Sequence, residues 1–135
     1  MFFKKDDSND DFIKVAALLI HAAKIDENFS KKEEEIINKA LLKLGADEKN
    51  IENIINKGKI LEENANQILD FTKEVKMMDK EKKREIIESL WRIIYSNKEA
   101  DMYETNLMRR LAGLMYIDNK FMGDIKEKIK KENQR

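Results

Sequence analysis

Apolar side chains recur along this chain at intervals of three and four, the spacing of one face of an α-helix. The first run spans about Asp10 to Lys24 and places Phe12, Val15, Ala16, Leu19, Ala22 and Ala23 on one face. Ser8, followed by Asp11, offers it a capping pair. A second helix starts at Ser30. There Ser30-Lys31-Lys32-Glu33 fits a capping box, in which hydroxyl and carboxylate each bind a backbone N–H left unpaired by the first turn. Its stripe is Ile36, Ile37, Ala40, Leu41 and Leu44, and Gly45 ends it, since glycine enters the left-handed region without steric penalty. A short third helix follows Asp47, carries Ile51, Ile54 and Ile55, and stops at Gly58. A fourth covers about Lys59 to Lys76, with Leu61, Ala65, Ile68, Leu69, Thr72 and Val75 inward. Asp79 caps a fifth, carrying Ile86, Ile87, Leu90, Trp91 and Ile94. Asp101, with Glu104 three residues on, caps a sixth, whose stripe is Leu107, Met108, Leu111 and Met115. A seventh follows Asp118 and uses Phe121, Ile125 and Ile129. No segment alternates with the period of two that marks a strand. The pattern predicts an all-α bundle of about seven helices in one domain, over residues 10–132, behind a flexible segment at 1–9.

The pattern also repeats. Shifted by 71 positions, Ala16, Leu19, Ile20 and Ala23 fall on Ile87, Leu90, Trp91 and Ile94. Ile36, Ile37, Ala40 and Leu44 fall on Leu107, Met108, Leu111 and Met115. Asp26, Ser30 and Glu33 fall on Asn97, Asp101 and Glu104. Few residues are identical, but the apolar register holds through two helices and the loop between them. Two copies of a helix–loop–helix hairpin give this pattern.

Composition narrows the chemistry. The 135 residues contain no proline, as helix interiors require, and no cysteine. The second absence excludes disulfides, thiolate zinc sites and a thiol nucleophile. It also suits a reducing, cytoplasmic setting. Twenty-seven basic and 27 acidic residues balance to zero, so no bulk field draws in nucleic acid. The longest nearly apolar run, Val15 to Ala23, is shorter than the roughly 20 residues of a membrane span. Peripheral membrane association stays open.

The segment Ala-Leu-Leu-Ile-His-Ala-Ala-Lys-Ile-Asp-Glu-Asn-Phe-Ser-Lys-Lys-Glu at 17–33 resembles the first hairpin of TerB-like domains, the tellurite-resistance family. The typical pattern there is an apolar helix, then A-x-x-D-G-x-[FIV]-[ST]-x-x-E, then a second helix. Leu90-Trp91-Arg92-Ile93-Ile94-Tyr95-Ser96-Asn97 and Asp101-Met102-Tyr103-Glu104, continuing to Arg109-Arg110-Leu111-Ala112, are similar to the second hairpin, and especially to that of a stand-alone bacterial subgroup. The resemblance covers about Asp11 to Phe121. Glu27 and Lys98 stand where the family has glycine, and Asn97 stands where it has an acid. The resemblance implies a small, duplicated, all-helical domain that accompanies stress-response, phage-defence and membrane-associated assemblies. It also implies divalent-metal binding by loop acids in some members.

The residues themselves leave two readings of these loops. Asp26, Asn28, Ser30 and Glu33 place four oxygen-bearing side chains close together, and calcium seeks six to eight oxygens. Asp-x-Asn-x-Ser resembles the start of an EF-hand. The twelfth position, however, is Ile37 and the sixth is Lys31, so the loop is not one. Helix capping alone explains Ser30–Glu33 and Asp101–Glu104. If the two loops meet, Asp26, Glu33, Asp101 and Glu104 would pool four carboxylates around a divalent cation, calcium or magnesium. No other cofactor is indicated.

His21, the single histidine, reads as a partly buried residue with one hydrogen bond. Trp91, Tyr95 and Tyr103 read as core. Of Arg109 and Arg110, one is expected in solvent and the other beside Asp101 or Glu104. The basic tail Lys126–Arg135 reads as a solvated helix end braced by a Glu127–Lys131 pair. The run Lys31–Glu35 also reads as solvated. No nucleophile, base and oxyanion site converge, and no catalytic residue is assigned. The expectation is a non-enzymatic module with an unidentified protein partner and no nucleic-acid ligand. A divalent-cation binder is the alternative.

Overall fold

The computed structural model describes residues 8–24, 30–65, 69–96 and 102–133. Among them are seven α-helices and no strand: α1 (Ser8–Ala23), α2 (Lys31–Lys43), α3 (Ile51–Asn64), α4 (Leu69–Lys76), α5 (Lys80–Tyr95), α6 (Met102–Leu114) and α7 (Asn119–Asn133). A 3-10 turn, Glu48–Asn50, leads into α3. Among the described residues, no helix is long and apolar enough to cross a membrane. Helix α1 begins at Ser8, two residues before the expected start of the domain.

The apolar run at Val15–Ala23 has a structural cause. Val15, Ala16, Ala17, Leu18, Leu19 and Ile20 are all buried, as are Ala22 and Ala23. Helix α1 is therefore covered over most of its circumference, more than the one face its spacing predicted, and Lys14 and His21 mark the edge left to solvent. It packs on α3, α4, α5 and α2. Helix α5 is a second central rod, buried from Ile86 to Trp91 and again from Ile93 to Tyr95. Each fully buried leucine or isoleucine here adds about 1.5–3 kcal/mol of hydrophobic stabilisation.

The third and fourth helices divide differently from expectation. Helix α3 runs through Gly58 to Asn64, and the break comes at Ala65, whose backbone is extended. Ile68 lies outside the described residues. Gly58 does not terminate a helix; it lets two helices touch. A β-carbon at Gly58 would stand 2.9 Å from the Ala16 Cβ and 3.3 Å from the Ala17 backbone N. The α1–α3 contact is the most extensive between any two helices.

The duplication is wider than two hairpins. Helix α6 begins and ends 71 residues after α2. Both helices then close with the same Schellman turn. The Ala46 N–H donates to the Leu41 carbonyl at 2.9 Å, and the Ile117 N–H to the Ala112 carbonyl at 2.8 Å. Gly45 and Tyr116, also 71 apart, hold the left-handed position at φ 109° and 54°. Asp47 and Asp118 then accept from the Lys49 and Lys120 backbone N–H at 3.1 and 3.3 Å, starting the next helix in each copy. The unit is three helices, α1–α2–α3 and α5–α6–α7, with α4 between. The strongest packing within each is first helix on third.

Gly58→Ala is expected to lower stability by about 1–3 kcal/mol through overpacking, although alanine is the better helix former by ~1 kcal/mol. Gly123→Ala, where a β-carbon meets nothing within 4 Å, should instead raise stability. Urea unfolding of the two variants checks the opposite signs.

Candidate functional site

The expected cation site is described at one of its four residues. Asp26 and Asp101 lie outside the described residues, as does the side chain of Glu104 on α6. Glu33 is 1% exposed at the start of α2. The Ser30 N–H donates to Glu33 Oε1 at 2.8 Å, and the Glu33 N–H to Ser30 Oγ at 3.2 Å, completing the capping box. The expected solvated run Lys31–Glu35 is thus interrupted by one buried carboxylate. A cap of this kind contributes about 1 kcal/mol.

His21 takes the position expected of it. Its Nδ1 lies 3.1 Å from Glu62 Oε2 on α3, and Lys24 Nζ donates to the other Glu62 oxygen at 2.6 Å. Burial works to raise the Glu62 pKa, but the hydrogen bonds from Lys24 and His21 outweigh it and lower the value. In the second copy Arg92 stands 71 residues after His21 and does the same work. Its Nε donates to Glu132 Oε1 on α7 at 3.0 Å, raising the arginine pKa and lowering that of Glu132. Both copies therefore tie first helix to third by a nitrogen-bearing side chain on the first and a carboxylate on the third.

Around Arg92 lies a polar cleft of about 280 Å³ between α2, α5 and α7. Glu88, 6% exposed, meets Arg92 Nη2 at 3.4 Å through one oxygen and Lys128 Nζ at 3.0 Å through the other. Among the described residues the Glu85 carboxylate pairs only with Lys43 Nζ, at 3.8 Å, and burial raises its pKa. The sequence held a signal for this cluster: Glu88 and Ser89 fall in register on Ala17 and Leu18, so polar residues occupy apolar positions. The tail is not simply solvated. Lys128 and Glu132 dock α7 on α5, and Lys126 lies over the Trp91 ring at 5.5 Å. Among the described residues the expected Glu127–Lys131 pair does not form. Trp91 and Tyr95 are core, stacked at 5.9 Å, while the Tyr103 side chain lies outside the described residues. The Trp91 indole N–H is buried without a partner among the described residues.

A second depression, about 450 Å³, lies between α2 and the start of α3. Leu42, Ile51 and Ile55 supply its apolar part, and Glu34, Glu48 and Glu52 its acids. Asn38 also lines it, with Oδ1 buried and unpartnered among the described residues. Leu42 is 44% exposed, unusual for a residue of its kind here. Among the described residues none of the three glutamates forms an ion pair. Arg109 and Arg110 are both exposed, and the acids expected beside one of them, Asp101 and the Glu104 side chain, lie outside the described residues.

The family model for tellurite resistance protein TerB matches residues 12–127. No curated protein and no solved structure gives a match.

The cleft's two glutamates should respond oppositely to neutralisation. Glu88→Ala removes a buried carboxylate that holds two cations and should cost roughly 2 kcal/mol. Glu85→Gln removes a charge that burial disfavours, so its stability at pH 7 should equal or exceed wild type. Because the folded pKa of Glu85 is raised, its penalty acts above that pKa and vanishes as pH falls below the unfolded value near 4.5. The advantage of Glu85→Gln should close over that interval in thermal melts.

Proposed function

The chain belongs to the TerB family, and from that premise we propose that it is a non-enzymatic protein-interaction module of a cytoplasmic stress response. The family's description as tellurite resistance supports the stress setting. The α2–α3 groove carries the interaction reading. It joins an exposed leucine, an apolar floor and three carboxylates that pair with nothing among the described residues. Apolar area ringed by polar groups is the usual make-up of a protein-binding patch.

The test compares baits. Wild-type chain and the Leu42→Lys, Glu52→Lys variant are immobilised and exposed to the same cell extract. A protein held by wild type and lost from the variant supports the reading. Identical recovery by both, from a variant that melts like wild type, overturns it.

The register of the two loops supports a second reading, a divalent cation held by Asp26, Glu33, Asp101 and Glu104: Ser30 and Glu33 fall on Asp101 and Glu104, so each copy carries acids at the start of its second helix. Hard divalent cations are bound by oxygen ligands of this kind. Calcium or magnesium at millimolar concentration should then raise the melting temperature through linkage. Asp26→Asn with Glu33→Gln should abolish the rise. Gln at the third helical position still completes a capping box, which separates loss of the cation from loss of the cap. An unchanged wild-type melt in either metal rejects this reading.

A further inference from the structure

The two three-helix copies provide an internal control for the groove. An interaction that builds a copy is found in both or has a replacement in the other; positions free of that requirement can differ with nothing taking their place. At the register of Glu34, Leu42, Glu48 and Glu52, the second copy has Thr105, Gly113, Asn119 and Gly123. Its α6–α7 face closes with the same turn and cap without any of the three acids or the leucine. Glu34, Glu48 and Glu52 sit in first turns, where the helix dipole favours acids by about 0.3–1 kcal/mol each. The second copy forms its equivalent helices without them. The fold therefore does not account for this set of residues.

What they share is a demand for positive charge. Three carboxylates, none in an ion pair among the described residues, stand around an apolar floor formed by Ile51, Ile55 and the exposed Leu42. Lysine and arginine meet both needs. Their methylene stems cover apolar surface while their heads donate to oxygen acceptors. A helix with leucines on one face and lysines flanking them would set its apolar stripe along Leu42 and its cations against the rim. We propose that the α2–α3 groove binds a cationic amphipathic helical segment of a partner protein, its lysines or arginines pairing with Glu34, Glu48 and Glu52. This rests on the groove being an interaction site and adds the chemical class of its occupant.

The probe is a short synthetic helix with leucines at i, i+3, i+4 and i+7 and lysines elsewhere, labelled for fluorescence anisotropy. Its counterpart carries glutamates in place of the lysines. The full chain should bind the lysine peptide and not the glutamate one. Glu34→Gln, Glu48→Gln and Glu52→Gln combined should weaken binding about tenfold, and raised salt should do the same to wild type. Leu42→Gln should weaken binding at both salt concentrations. Equal affinity of wild type and the triple variant, or equal affinity for both peptides, overturns the proposal. The second outcome would leave the groove an interaction site of another chemistry, still open to the bait comparison. Concentration-dependent dimers of the wild type that the triple variant abolishes would also overturn it, because the occupant would then be another copy of this chain. A melting temperature for each variant confirms that it is folded.

Discussion

The close approach of α1 and α3 at Gly58 is the constraint on which the rest of the arrangement depends. With no β-carbon at Gly58 and only methyl groups at Ala16 and Ala17, the two helix backbones come nearly into contact. That closeness leaves α1 surrounded, because its other sides are taken by α2, α4 and α5. A helix enclosed in this way keeps only a narrow solvent edge, marked here by Asp10, Lys14 and His21, so the rest of its sequence must be apolar. Val15–Ile20 meets that demand without a polar interruption. The nearly apolar run, too short for a membrane span, is therefore the signature of a central helix in a small domain.

The second copy solves the same docking problem with different chemistry. Gly58 corresponds to Ile129, and Ala17 to Glu88. With larger side chains at the contact, α7 is held on α5 partly by Glu88, Arg92, Lys128 and Glu132. A buried ion network stabilises only when its members are paired and hydrogen-bonded, and Glu88 uses both its oxygens. Glu85, one turn away, is the member with the poorest pairing. The halves thus keep topology, turn geometry and a nitrogen-bearing side chain on the first helix, while packing by small residues in one becomes packing by charges in the other.

Much of this was legible in the sequence, for identifiable reasons. Helix stripes, the Ser30–Glu33 box and the Gly45 stop are local, and local periodicity reports them directly. The repeat was visible because its apolar register survived. Its third helix was missed because Gly58 looked like a terminator, and a glycine's role depends on what lies opposite it. Tyr116 hid the second Schellman turn, since a left-handed tyrosine does not announce itself as glycine does. The pairs His21–Glu62 and Arg92–Glu132 join residues some forty positions apart, which no local pattern records. The same limit applied to the tail, whose Lys128 and Glu132 were assigned to solvent but bridge to α5.

The duplicated architecture also separates the charges that build the fold from those that do not. A zero net charge over 54 ionisable acids and bases says nothing about their placement. Pairing sorts them. Glu62, Glu88 and Glu132 join helices, and their partners lie on the first helix of a copy or on the element docked against it. Glu34, Glu48 and Glu52 join nothing among the described residues, cluster on one groove, and have neutral residues at their register in the other copy. A duplicated domain needs each structural interaction twice, or a replacement for it, as the α5–α7 network replaces the small-residue contact of α1 and α3. An acidic rim present once and replaced by nothing is not part of that scaffold. In this chain the asymmetry between the copies separates these charges from the scaffold more sharply than the composition of either copy does.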